Sequence, residues 1–191
     1  MEMKKVKPQI RFLNEIKSVL YDKKWAKTAP NLEIYYMYRG VKRKNGLRYD
    51  VTVIPPRMLG KEFVRTKGNR NSKNFPELYT VLKGKAIFLM QKMEKEVIKD
   101  ALAVKAKEGD YVIVPPKYAV ITINPSKKIL KAGNWVSEKN KNIYEELEAR
   151  QGACYYYTKR GWIKNKNYAK IPKLRIKKPL KSKPENLDFL K

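Results

Sequence analysis

The chain holds 191 residues, with 45 Lys or Arg against 18 Asp or Glu, a formal charge of +27. Hydrophobic residues make up 42%, enough for a core, which argues against wholesale disorder. Histidine is absent, so Ser-His-Asp and Cys-His catalysis and imidazole metal ligation are excluded together.

Residues 1–30 read as a basic N-terminal arm. MEMKKVKPQI lacks the continuous apolar stretch of a secretory signal. No apolar run reaches the roughly 20 residues needed to cross a bilayer, so a cytoplasmic chain with no membrane partner is expected. From Pro8 to Tyr21, Ile10, Leu13, Ile16 and Leu20 fall at helical spacing, which predicts a short amphipathic helix or an ordered arm.

Residues 31–158 read mostly as strands. Leu47–Val53 alternates with period two, as a half-buried strand does. Residues 77–84 and 85–91 are β-rich runs broken at Gly84, which predicts a bend there. Further strands are expected over 97–106, 111–114, 119–124 and 153–157, with turn chemistry at Gly109-Asp110 and Pro115-Pro116. Residues 141–150, KNIYEELEAR, read as the one internal helical turn, and it is acidic. Cys154 is the lone cysteine and sits in an apolar run, so it reads as a buried, inert thiol and excludes an internal disulfide. Many short strands punctuated by Gly and Pro predict a mainly β fold, an antiparallel sandwich or small barrel.

Residues 159–191 read as an extended basic tail. Between 159 and 183 stand eleven cations and no acid: Lys159, Arg160, Lys164, Lys166, Lys170, Lys173, Arg175, Lys177, Lys178, Lys181 and Lys183. Pro172 and Pro179 forbid a long helix, so order there is expected to come from a partner.

Two motifs lie inside the strand-rich region. Asn69 and Asn71 are followed by Glu77 and then Gly84, and Gly109 is followed by Pro115, Val120 and Asn124. These spacings resemble the two motifs of the cupin superfamily, a double-sheet β-barrel of jelly-roll type. GKEFVRTKGNRNS (60–72), ELYTVLKGKA (77–86) and GDYVIVPPKYAVITIN (109–124) further resemble segments of the cupin-type glucose-6-phosphate isomerases of archaea, in the same order. That resemblance implies a divalent metal on three histidines and one glutamate, with the sugar phosphate held partly by a Thr-Lys-Gly turn, here Thr66, Lys67 and Gly68. Asn69, Asn71 and Val120 stand at the three histidine positions, and Glu77 alone keeps its type. They read as vestigial ligand positions, so no metal, no cofactor and no enzymatic activity are expected.

The charge asymmetry points to nucleic acid. Lys outnumbers Arg 35 to 10, which favours phosphate contact over base reading. The expectation is a non-catalytic structural rRNA-binding protein, a ribosomal component on a degenerate cupin fold, partnered by rRNA and neighbouring ribosomal proteins. The eleven tail cations, Trp162 and Tyr168 as stacking platforms, and Arg70 and Lys73 beside the Thr-Lys-Gly turn are its candidate RNA contacts. The alternatives are a metabolic sugar-phosphate-binding cupin and a general nucleic-acid or chromatin binder.

Overall fold

The computed structural model describes residues 6–191. In chain order the strands are β1 (Gln9–Phe12), β2 (Glu33–Lys44), β3 (Leu47–Ile54), β4 (Met58–Leu59), β5 (Glu62–Phe63), β6 (Asn69–Asn71), β7 (Glu77–Lys83), β8 (Lys85–Glu94) and β9 (Val97–Lys107). They continue as β10 (Tyr111–Val114), β11 (Tyr118–Ile123), β12 (Leu130–Ser137), β13 (Asn142–Ile143), β14 (Tyr155–Thr158), β15 (Gly161–Lys164) and β16 (Arg175–Lys177). Two short helices interrupt them, α1 (Lys23–Thr28) and α2 (Glu145–Glu148).

The strands form two six-stranded sheets, β1-β2-β3-β12-β7-β10 and β13-β6-β11-β8-β9-β16, and a small sheet, β15-β14-β5-β4. The two large sheets share one apolar core, in which Tyr79 of β7 meets Phe88 of β8 with ring centroids 4.9 Å apart. Phe88 is fully buried, and such burial contributes roughly 1.5–3 kcal/mol for a side chain of this kind. The bend expected at Gly84 is the corner at which the chain leaves the first sheet for the second. Its φ is +86°, and a Cβ there would lie 2.6 Å from the Ile129 carbonyl oxygen, so only glycine fits. This is the mainly β, cupin-like double sheet that the resemblance implied.

One expectation gives way in part. The helix over Pro8–Tyr21 is instead β1, antiparallel to β2, followed by 3₁₀ turns at Leu13–Glu15 and Lys17–Val19. Leu13, Ile16 and Val19 are buried at a spacing of three, the period of a 3₁₀ helix, which a short stretch cannot distinguish from an α-helical stripe. The acidic helical turn expected within 141–150 is α2, preceded by β13.

The tail corrects a second expectation, because its order comes from the barrel itself. β14 and β15 form a hairpin turning at Lys159-Arg160. β16 pairs in parallel with β9, and Leu180 exchanges backbone hydrogen bonds with Tyr111 of β10 at 2.8 and 2.9 Å. The tail thus covers the exposed edge of each large sheet, where unpaired backbone groups would otherwise stand. Pro172 and Pro179 rule out a helix but not an edge strand. Tyr168 is buried, and its hydroxyl donates to the Gly152 carbonyl at 2.8 Å while accepting from Gln91 Nε2 at 3.2 Å. Cys154 is buried next to this junction, and burial pushes its thiol up to about 12, as an inert thiol should be.

Candidate functional site

Strand geometry brings the motif positions together at one mouth of the barrel. Asn69 and Asn71, two apart on β6, share a face. Val120 of β11 is the register partner of Asn69, and Asn142 of β13 is that of Asn71. Across the barrel Glu77 and Tyr79 share a face of β7, and Asn134 of β12 lies between Tyr79 and Asp50 of β3. A cavity of about 50 Å³ opens between the two walls, lined by Asn69, Glu77, Val120, Asn134, Asn140 and Asn142 among others. That volume admits a few water molecules.

The polar groups here are mostly carboxamides. Asn71 Oδ1 accepts from Asn69 Nδ2 at 3.2 Å and from Asn140 Nδ2 at 2.9 Å, while Asn71 Nδ2 donates to the Phe75 carbonyl at 2.9 Å. Asn134 Nδ2 donates to Glu77 Oε2 at 2.7 Å. The Oδ1 of Asn140 is buried and has no partner among the described residues. Burial raises the pKa of Glu77, and the hydrogen bonds from Asn71, Tyr79 and Asn134 only partly offset it. Asp50 is held differently. It accepts from Arg48 Nε at 2.9 Å, from the Gly40 N–H at 2.7 Å and from an Arg39 guanidinium N–H at 3.2 Å. The floor of the site therefore pairs a protonation-prone acid with an ion-paired carboxylate.

The Thr-Lys-Gly turn forms one rim. The Thr66 hydroxyl accepts the Thr122 N–H at 3.0 Å, and the Lys67 N–H donates to the Tyr35 hydroxyl at 3.2 Å. Gly68 has φ +83°, and a Cβ there would meet Ile121 and Leu147 at 2.7 and 2.8 Å. Helix α2 packs over this turn. The Lys67 ammonium pairs with Glu148 and lies 5.1 Å from the Tyr144 ring centroid. Arg70 donates to Glu146 Oε1 from Nε at 2.8 Å and from a terminal nitrogen at 2.6 Å.

The resemblance implies a divalent metal at this mouth, and the donors present do not fit one. Val120 offers no lone pair, and the Asn71 amide is already committed through both its oxygen and its nitrogen. Neutral amides are weak ligands for first-row transition metals, and burial favours the protonated form of the single carboxylate. Among the described residues no group of three or more Asp, Glu or Cys is placed to hold a metal ion.

The structure brings the four motif positions together but scatters the candidate RNA contacts. Arg175 is ion-paired to Asp100, Lys181 to Asp110 at 2.7 Å, and Arg70 to Glu146. Tyr168 is buried and so not free to stack on a base, while the partly exposed Trp162 packs on Tyr157 with centroids 4.7 Å apart. Lys73, Lys159, Arg160, Lys164, Lys166, Lys170, Lys173, Lys177, Lys178 and Lys183 are exposed. Sequence reasoning missed Tyr35, Asn134, Asn140, Asn142 and Tyr144, which line the same cavity from distant parts of the chain.

A model of the glucose-6-phosphate isomerase family matches residues 21–173. The chain belongs to this family. Named glucose-6-phosphate isomerases resemble it across most of the barrel. That of Thermococcus litoralis is 33% identical over 128 residues, 64% of this chain and 65% of the relative. That of Pyrococcus abyssi is 33% identical over 121 residues, 60% of this chain and 62% of the relative. The chain thus spans less than two thirds of the length of either relative. Among solved structures, an oxalate decarboxylase of Lactobacillus farciminis is similar at TM-score 0.49 and 12% identity, over 71% of this chain and 32% of that one. Membership of the isomerase family overturns the ribosomal, rRNA-binding reading. The match reaches Lys173, so the hairpin and the buried Tyr168 belong to the family's own domain rather than to an appended RNA-binding extension.

Proposed function

We propose that this chain binds a phosphorylated sugar at the mouth of the barrel without a transition metal, and does not isomerise it. One observation carries the reading: the carboxamides of Asn69, Asn134, Asn140 and Asn142 converge on a single cavity with a protonation-prone Glu77, where a divalent ion would need imidazoles. Each carboxamide offers both donors and an acceptor, the complement a polyol's hydroxyl groups require. The buried, unpartnered Asn140 Oδ1 is an acceptor awaiting such a hydroxyl. The Thr66–Gly68 turn and its cations supply a rim suited to the phosphate. A cavity of about 50 Å³ takes one end of the sugar, so the remainder lies along that rim.

Isomerisation between an aldose and a ketose needs an electrophile on the carbonyl and a base on the adjacent carbon. The donor set supplies no metal electrophile, and a protonated Glu77 is a poor base. The named relatives are isomerases, and the shared scaffold supports a common ligand class with the chemistry lost. Calorimetric titration of fructose 6-phosphate in the presence of chelator tests the binding. The expected result is saturable one-to-one binding that weakens at least about tenfold in Asn134→Leu, since unmatched polar groups are costly. Binding that requires added divalent metal contradicts the reading.

A further inference from the structure

Three cations around the Thr66–Gly68 turn, Arg11, Lys67 and Arg70, are already engaged by the segment that carries α2. Lys67 pairs with Glu148 and Arg70 with Glu146, while Arg11 and Lys67 both lie against the Tyr144 ring, at 5.9 and 5.1 Å from its centroid. The Arg11 Nε beside them is buried and has no partner among the described residues. Thus a cluster with the makings of an anion site is filled by carboxylates of the same chain.

We propose that Glu146 and Glu148 act as an intramolecular competitor for the ligand's phosphate, so that a phosphorylated sugar binds by displacing two carboxylates from Lys67 and Arg70. This rests on the sugar-phosphate reading above and adds its regulation. The backbone of α2 stays in place during the exchange. Leu147 is fully buried over Gly68, and Gln151 Nε2 donates to the Leu20 carbonyl at 2.8 Å. Only side chains need to move, and both carboxylates can swing into water, since the Glu146 and Glu148 side chains are 29% and 36% exposed. A phosphate carries more negative charge and more acceptor oxygens than one carboxylate, so it competes effectively with either carboxylate for its cation. Displacement leaves the carboxylates solvated at little cost.

Two partly exposed ion pairs, each individually weak, set the size of the competition. Relieving both predicts roughly tenfold tighter binding. Calorimetric titrations with fructose 6-phosphate and with inorganic phosphate, on the full chain and on Glu146→Gln/Glu148→Gln, test this. The double variant is expected to bind both ligands about tenfold more tightly than the unaltered protein. Glu145→Gln, which removes one charge from the same helix but forms no ion pair with either cation, is the control and is expected to change both affinities no more than about twofold. Equal affinities in the unaltered protein and the double variant overturn the competition while leaving sugar-phosphate binding intact. A gain in Glu145→Gln equal to that of the double variant overturns it too, by assigning the effect to net charge. If neither protein binds either ligand, the competition falls together with the reading it rests on.

Discussion

Burial of Glu77 away from water favours its protonated form, and three neighbouring donors recover only part of the loss. The consequence for stability has a definite sign. The folded-state pKa lies above the usual carboxylate value of 4.5, so the native protein holds a proton that the unfolded chain has already lost. Stability attributable to Glu77 therefore falls as pH rises from about 4.5 toward the folded-state value, and is level below both. Glu77→Gln keeps the shape and removes the titration. Its stability is expected to track the unaltered protein at pH 4 and to exceed it at pH 8, as read by urea unfolding. Parallel pH dependence in the two proteins would show that Glu77 is ionised in the fold. Glu77, Asn69, Asn71 and Val120 were legible because motif spacing survives the loss of the histidines. Asn134, Asn140 and Tyr144 were not, because nothing in a linear reading places three separated residues around one cavity.

β12 shows why an element goes unread. LKAGNWVS carries a glycine at its centre, which reads as a break, yet Gly133 is there because Tyr49 packs across it. A Cβ at Gly133 would lie 1.9 Å from the Tyr49 hydroxyl oxygen, so the small residue marks a close approach inside a strand. Missing β12 meant missing Asn134. β3, β7 and β10 were legible from alternation and from turn residues at their ends, whereas β16 was hidden by the cations around it. Arg175, Ile176 and Lys177 are all exposed and lack the alternation of a half-buried strand. Parallel pairing to β9 comes instead from anchors further back along the tail, chiefly Tyr168. Tyr168→Ala removes a buried ring and strands the amide of Gln91, so a loss of about 3 kcal/mol is expected in urea unfolding. Hydrogen exchange should show β16 losing protection in the same variant. Unchanged stability would mean that the tail merely rests on the barrel.

The arginines and lysines divide their work across the whole molecule. Of the ten arginines, eight are ion-paired: Arg11, Arg39, Arg43, Arg48, Arg65, Arg70, Arg150 and Arg175. Among the described residues only Lys67, Lys92, Lys181 and Lys191 are paired, so the surplus positive charge belongs to solvated lysines. Lys85 and Lys107 even face each other across β8 and β9, an arrangement that destabilises the sheet. Composition revealed that surplus but carried no address for it. Self-repulsion of this kind is screened by salt. The melting temperature is therefore expected to rise by several degrees between 10 and about 200 mM NaCl, and a fall would mean that attractive pairs dominate. Ligand binding without turnover is the central claim, and one measurement reads both halves of it. Fructose 6-phosphate is mixed with the protein in D₂O with chelator present and followed by proton NMR, with saturation transferred from the protein. The account predicts saturation transfer to the sugar protons, and no replacement of carbon-bound hydrogen by deuterium beyond the protein-free rate. Deuterium appearing on the carbon next to the carbonyl, or no transfer at all, would contradict it.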